Sequence, residues 1–398
     1  MRALVLTTSY PARIGLLSGR FLATLLEGLA GRGWDFDVVT PAPAGGGVGG
    51  AERPIRVIPV SYPGGHAGGG LAHAAGIPEE LARRPLKWLL VPGMLHGLLA
   101  EADRRLASGG YDLIWSHWLL PSGALGAGLA RRHSLGHLAT AHGADVHVLE
   151  RLARLPGARG RLAALFARTT LIAPAEHTAQ RVAHALGGAR VACVPLPVAS
   201  AAGRGAPTGG PLRLLFLGRF EPIKGPDLLL EAAARLDPGC AGDLTFAGAG
   251  TLEAALRARA AALAIPVRFP GVLDGPAKEA AIDAAHLVVL SSRRLADGRG
   301  EGLPHAAAEA LARGVPVVAP REGALGELLA RSGAGIVYDA RDDGARIGAL
   351  AAALTAAADP ERLGALRVRA ARAGQRFASD LVLPRWDQWL RRAQEEAA

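Results

Sequence analysis

Leu212-Arg-Leu-Leu-Phe-Leu217 runs directly into Gly218-Arg219-Phe220-Glu221-Pro222-Ile223-Lys224-Gly225, and further along the chain reads Glu301-Gly302-Leu303-Pro304 with a second glutamate at Glu309. A short apolar run closed by glycine is the pattern of a buried strand meeting a turn. That turn presents Arg219 and Lys224, two cations spaced to hold adjacent negative charges such as a diphosphate. Composition sharpens the lysine, because only Lys87, Lys224 and Lys278 are lysines among 45 Lys+Arg.

The second stretch reads as the entry to a helix. Pro304 suits a first turn, His305 to Arg313 is rich in alanine and leucine, and Gly314 fits the residue just past the end. Glu301 is then expected in the loop entering the helix and Glu309 inside it. Their separation is at most roughly 12 Å along the axis, about the span from a nucleotide's ribose to a sugar on its β-phosphate. The helix N-terminus between them offers unpaired N–H groups and a partial positive charge to an anion. Cations for a diphosphate and carboxylates for hydroxyls describe a nucleotide-sugar site.

Outward from this core the chain alternates strand and helix. Expected strands are Ala3 to Thr7, Asp37 to Thr40, Ile55 to Pro59, Tyr111 to Ser116, His137 to Ala141, Thr170 to Pro174 and Arg190 to Val194. The second half continues with Leu212 to Leu217, Leu244 to Gly248, Val267 to Pro270, Leu287 to Ser291, Val315 to Ala319 and Gly335 to Tyr338. Helices are expected over Ser18 to Arg32 and around Pro85 to Ala107, the latter interrupted by Pro92 and Gly93. This order implies parallel sheets covered by helices. At 398 residues, half of them hydrophobic, the chain has material for two cores.

The sequence resembles the family 4 glycosyltransferases, retaining enzymes of the GT-B fold. The resemblance rests on Leu214-Leu-Phe-Leu-Gly-Arg219, Lys224 to Ala232, Leu244 to Gly250, Val267 to Gly271 and Glu301 to Ala319. In the first half it rests on Thr8-Ser-Tyr-Pro11 with Gly15, Ser116-His-Trp118 and Ala141-His-Gly-Ala-Asp145. It implies an α/β chain of two Rossmann-like domains facing across a cleft. The expected divisions are an acceptor-side domain at 1–199, a linker at 200–211, a donor domain at 212–375 and a C-terminal helix at 376–398 packing back on the first domain.

Carried onto this sequence, the resemblance makes Arg219, Lys224, Glu301 and His142 the expected catalytic set. Donor contacts are expected from Gly15, Gly218, Arg219, Lys224, Gly250, Gly271, Val272, Glu301, Gly302, Leu303 and Glu309, and acceptor contacts from His117, Trp118 and Asp145, with Asp145 orienting its loop. It further implies a front-face transfer in which a donor phosphate oxygen accepts the acceptor's proton, with the two domains closing to exclude water. Departures are Gly323-Ala324 where the family often has two glycines, His286 where it often has an aspartate, and Gly15 alone where many members have a glycine pair.

Two further motifs point elsewhere. Asp35-Phe-Asp37 resembles a metal-holding aspartate pair, but it enters a strand right after Gly33-Trp34. Gly248-Ala-Gly250-Thr-Leu-Glu253 resembles a dinucleotide fingerprint with glutamate in place of its third glycine. Neither metal nor other cofactor is expected. Cys193 and Cys240 are far apart and fit free thiols in a reducing compartment.

No apolar run reaches membrane-spanning length and the N-terminal apolar run is too short for a signal peptide, so a cytoplasmic location is expected. The net charge of +10 favours anionic partners, yet aromatics are only 5% and no basic block interleaves with them, which argues against nucleic acid. The expected partners are a nucleotide-diphosphate sugar and a glycan or lipid-linked acceptor. Basic residues flanking the apolar stretch 83–105 add a peripheral contact with anionic membrane at its inner face. A sugar-nucleotide epimerase of the same fold and a non-catalytic nucleotide-sugar-binding subunit are the alternatives.

Overall fold

The computed structural model describes residues 1–11, 19–42, 54–62, 71, 77–198, 209–237, 239–296, 298–339 and 342–396. The chain divides into unit 1, Met1–Pro197 with Val382–Ala398, and unit 2, Val198–Leu381. The C-terminal division thus falls at Leu381/Val382 rather than near residue 376. Of the expected linker 200–211, residues 200–208 lie outside the described residues.

Unit 1 is built on strands β1 (Arg2–Leu6), β2 (Asp35–Pro41), β3 (Ile55–Val60), β4 (Leu113–His117), β5 (Gly136–Thr140), β6 (Thr170–Ala173) and β7 (Val191–Cys193). They form one parallel sheet in the order β3-β2-β1-β4-β5-β6-β7. Strands β4 and β5 are buried along their whole length, as parallel strands covered on both faces must be. One face is closed by the helix Arg20–Ala30 and by the C-terminal helix Ser379–Glu395. Trp34, Trp115 and Trp386 are fully buried there, with the last two rings 5.5 Å apart. Their indole N–H groups are all used: Trp34 donates to Asp387 Oδ1 at 2.7 Å, Trp115 to Thr140 Oγ1 at 3.0 Å and Trp386 to Pro195 O at 2.7 Å.

Unit 2 carries β8 (Leu212–Leu217), β9 (Ala241–Ala247), β10 (Val267–Gly271), β11 (Leu287–Val289), β12 (Val317–Pro320) and β13 (Gly335–Tyr338), parallel and ordered β10-β9-β8-β11-β12-β13. The chain moves outward in one direction from β8 and returns to start the other way at β11. Such a switch leaves a crevice beyond the carboxyl ends of these two strands, where ligands bind in open α/β sheets. In unit 1 the equivalent switch lies between β1 and β4.

Several expectations shift. The stretch 85–107 is a 3-10 turn, Pro85–Leu90, followed by a helix, Val91–Ala107, and Pro92 lies in the first turn of that helix instead of interrupting it. A proline there gives up an N–H that has no intrahelical partner anyway. Pro304 caps the helix His305–Ala312 from outside, in extended conformation, instead of entering its first turn. The Asp37 carboxylate, where no metal was expected, accepts from Arg2 at 2.6 Å, Arg56 at 3.0 Å and the Tyr111 hydroxyl at 2.5 Å.

Candidate functional site

In unit 2 the turn after β8 is forced close to the loop after β11. Gly225 has φ +62°, and a Cβ there would lie 2.1 Å from Ser291 O, so glycine alone fits. Ser291 Oγ donates to Gly225 O at 2.6 Å, and Arg293 N donates to Ile223 O at 3.0 Å. The Arg293 guanidinium then bridges Asp227 and Asp343. These contacts fix the two backbones on which the charged side chains sit.

Lys224 and Glu301 meet there. Lys224 Nζ donates to Glu301 Oε1, and Ser292 Oγ donates to Glu301 Oε2. The pair therefore lies at the carboxyl edge of the switch point. Arg219, half-buried just after Gly218, accepts from Glu221 N at 2.9 Å through its backbone, and its guanidinium has no hydrogen bond or ion pair among the described residues. Gly302 and Leu303 lead from Glu301 into the helix His305–Ala312, where Ala307 N donates to Pro304 O at 3.0 Å and the helix start carries a partial positive charge. An open pocket lies alongside, lined by Ser292, Arg293, Glu301, Gly302, Pro304 and Glu322 among others.

Glu309 is in this helix, one turn after His305, and its Oε1 accepts from Lys278 Nζ at 2.7 Å. His305 Nε2 lies 3.7 Å from the same oxygen, and burial holds that imidazole below its usual pKa. Two of the three lysines thus each hold one of the two motif glutamates. Gly271 ends β10 with φ +79°, and Val272 after it is exposed at 41%. Gly248 and Gly250 owe their place to packing: a Cβ on Gly248 would lie 1.8 Å from Gly218 O, and one on Gly250 2.5 Å from Phe220 O. The apparent dinucleotide fingerprint is thus the point where the loop after β9 crosses the turn after β8.

In unit 1 the carboxyl ends of β4 and β5 bring His117 and His142 together, Nδ1 to Nε2 at 3.0 Å. His117 is fully buried and its Nε2 has no hydrogen-bond partner among the described residues. Burial, and then His142, push His117 well below the usual imidazole range, and burial brings His142 down to about 3. Both rings are neutral at physiological pH. Trp118 stands at φ +67°, a left-handed backbone that costs a non-glycine residue about 1–3 kcal/mol, and its ring lies 4.7 Å from that of His142. Asp145 faces inward at 3% exposure, and its carboxylate accepts from the amides of Leu119, His142 and Gly143 at 2.7, 3.0 and 2.8 Å. That commitment holds the His142 loop to the start of the chain after Trp118, and it leaves Asp145 buried rather than presented to an acceptor. Gly15 lies outside the described residues.

Sequence reasoning missed Ser292, Arg293 and the role of Lys278 as the partner of Glu309. Lys278 was visible only as one of three lysines; its partner is on another element. Among the described residues no group of three or more His, Cys, Asp or Glu is arranged to hold a metal ion, and no helix is long and apolar enough to cross a membrane.

Comparison with known proteins bears on this geometry. The sequence model for Glycosyltransferase Family 4 matches residues 18–201, and that for Glycosyl transferases group 1 matches residues 204–368. Over 179 residues the chain is 35% identical to glycogen synthase of Mycobacterium tuberculosis, covering 44% of this chain but only 40% of that enzyme's length. It is 31% identical to the D-inositol 3-phosphate glycosyltransferase of Arthrobacter sp. over 295 residues, 67% of each chain. Among solved structures, Anabaena HepE in complex with UDP superposes with a TM-score of 0.68 at 16% identity, covering 98% of this chain and 100% of that one. Two parallel-sheet units, a charged site at a switch point and these matches agree: the chain belongs to glycosyltransferase family 4, the glycosyl transferases group 1, and has the GT-B fold.

Proposed function

We propose that the chain moves a hexose from a nucleotide-diphosphate sugar to a hydroxyl of a glycan, lipid-linked or small-molecule acceptor, with retention at the anomeric carbon and without a metal. The observation that carries this is the joining of Lys224 and Glu301 at the switch point of unit 2, beside the unpaired Arg219. A departing nucleoside diphosphate gathers negative charge on its β-phosphate. Arg219, Lys224 and the helix N-terminus near Gly302 and Leu303 stabilise that charge, the part a metal plays in other glycosyltransferases. Lys224 leaves Glu301 for the phosphate, which frees Glu301 to accept from the sugar hydroxyls. Glu309, held by Lys278, takes the ribose hydroxyls, and backbone near Gly271 and Val272 meets the base.

Unit 1 is assigned the acceptor, with Trp118 lining its approach and His142 hydrogen-bonding a sugar hydroxyl. The neutrality of His117 and His142 suits hydrogen bonding to hydroxyls rather than charge pairing. The UDP in HepE supports a nucleotide donor, and the relatives that act on glucans and inositol phosphate support a role in glycan or glycoconjugate synthesis. The place of action is the cytoplasm, at the inner face of the membrane when the acceptor is lipid-linked. Leu86, Trp88 and Leu89, exposed at 83%, 60% and 80% on one turn beside Arg83 and Arg84, support that contact.

The test is a thermal-shift screen of nucleotide sugars, then turnover of the stabilising donor with candidate acceptors, with and without chelator, and assignment of the anomeric configuration by NMR. Retained configuration and full activity in EDTA are expected. Inversion, or activity lost in EDTA and restored by Mg²⁺ or Mn²⁺, refutes the corresponding part. Turnover by the purified protein without acceptor, yielding an altered sugar nucleotide, would instead identify an epimerase.

A further inference from the structure

The opposite edge of the unit 2 sheet holds an imbalance of charge. Arg213 is the second residue of β8, Asp243 is its partner on β9, and His286 directly precedes β11. His286 is 1% exposed; its Nδ1 accepts from Arg213 N at 2.9 Å, so the proton is on Nε2, 3.3 Å from Gly209 O. It is a neutral acceptor for the backbone. Across from it, on the inward side of the helix Pro360–Gly374 between buried Leu363, Leu366 and Ala370, stands Arg367.

The guanidinium groups are unmatched. Arg213 Nε, Arg367 Nε and Arg367 Nη2 are buried and have no hydrogen-bond partner among the described residues. Burial and then the charge of Arg213 lower the pKa of Arg367, and both arginines act on His286. The carboxylate nearby, Asp243, is bonded to Arg268 at 3.2 Å. Other sheltered arginines of this unit have carboxylate partners: Arg313 is held by Asp283 and Glu279, Arg346 by Glu322, and Arg293, although its Nε is unpartnered, by Asp227 and Asp343. A buried donor without an acceptor forfeits its hydration with no return, and two adjacent cations repel. An oxyanion cancels both penalties, since each guanidinium presents paired N–H groups that match its oxygens.

We propose that Arg213 and Arg367 form a binding site for a phosphate group at the amino edge of the unit 2 sheet, separate from the diphosphate site at the carboxyl edge. The ligand is free phosphate or a phosphomonoester. His286 positions the Arg213 backbone and keeps the site free of negative charge.

The experiment is thermal unfolding and calorimetric titration of the full chain with inorganic phosphate, against chloride at matched ionic strength, for the wild type, Arg367→Met, Arg213→Gln and Lys224→Ala. Phosphate is expected to raise the melting temperature of the wild type and of Lys224→Ala alike. Arg367→Met is expected to lose that rise and, without phosphate, to melt at or above the wild type because an unmatched charge is gone. Binding at least tenfold weaker is expected for Arg213→Gln, which serves as the readout should Arg367→Met fail to fold. A rise lost in Lys224→Ala but kept in both arginine variants places phosphate at the donor site only and overturns the proposal. So does a wild type indifferent to phosphate, or an Arg367→Met protein that folds but melts lower without it. Titration with a hexose monophosphate separates the sources: tighter binding than inorganic phosphate identifies a phosphomonoester, and equal binding identifies free phosphate.

Discussion

Lys224 Nζ donates to Glu301 Oε1, although the two residues lie after different strands and far apart in sequence. The cation proposed for a phosphate and the carboxylate proposed for a sugar thus neutralise each other. The pair keeps a sheltered lysine and glutamate satisfied, and under the proposed function a bound donor offers each a better partner. Lys224→Ala should therefore act on the transition state more than on folding. The expected cost is about 2–4 kcal/mol in the barrier, roughly thirty- to a thousandfold in kcat/KM. Steady-state kinetics with the donor found by screening measure it, and an unchanged kcat/KM refutes the assignment.

Lys278 holds Glu309, which makes it a positioning residue under the proposed function. Lys278→Met should raise the donor KM about fivefold, on the order of 1 kcal/mol, and leave kcat within about twofold, because a ribose hydroxyl is held alike in ground and transition states. Calorimetry should show the same loss for nucleoside diphosphate, with Lys278→Arg recovering part of it. A fall in kcat at unchanged KM would contradict this.

His137 is buried between Ser116 Oγ and Thr169 Oγ1, both at 2.9 Å, and burial followed by Arg131 lowers its pKa to about 3. Between the unfolded value near 6.5 and that folded value, the unfolded chain binds the extra proton. Stability is therefore full above the unfolded pKa and lost as pH falls, by about 1.4 kcal/mol per pH unit at full slope. His137→Asn should make the drop in unfolding free energy between pH 7 and pH 5 smaller by about 2 kcal/mol. Urea denaturation at the two pH values checks this, and an equal drop in both proteins contradicts it.

Exposed Leu86, Trp88 and Leu89 make the proposed membrane contact testable. The wild type should sediment with anionic liposomes at low salt, less so at physiological salt. Trp88→Ser with Leu89→Ser should abolish sedimentation and leave activity on a soluble acceptor unchanged. Absence of wild-type binding even at low salt removes the membrane from the proposed function.

Trp386 is fully buried and donates to Pro195 O. Trp386→Ala should destabilise unit 1 by about 3–5 kcal/mol through the cavity it leaves, seen as an earlier transition in denaturant that leaves donor-induced stabilisation of unit 2 intact.

Periodicity and glycine placement made the strands legible, and boundaries moved by a few residues: Val315 to Ala319 was expected where Val317–Pro320 is found, while Gly335–Tyr338 coincides. The charged motif was legible because Gly218, Lys224, Glu301 and Glu309 sit at local spacings tied to a strand end and a helix start. Lys278 could not be paired with Glu309, because that contact joins two helices and no local spacing encodes it. His286 was visible only as a departure from the family pattern, and its convergence with Arg213 and Arg367 was illegible for the same reason, since three unrelated stretches meet there. The 3-10 turn at Pro85–Leu90 escaped because an apolar run with proline fits either helix type.

Unit 1 is discontinuous, since it needs Val382–Ala398 to cover Trp34 and Trp115. On the ribosome its first 197 residues emerge long before their closing segment. All of unit 2 must be translated in between, during which the tryptophan face of unit 1 stays open to chaperones or to misassembly. A fragment cut after Pro197 therefore lacks its lid, whereas a circular permutant joining the two termini and opening near residue 200 would keep both parts of unit 1 adjacent during synthesis.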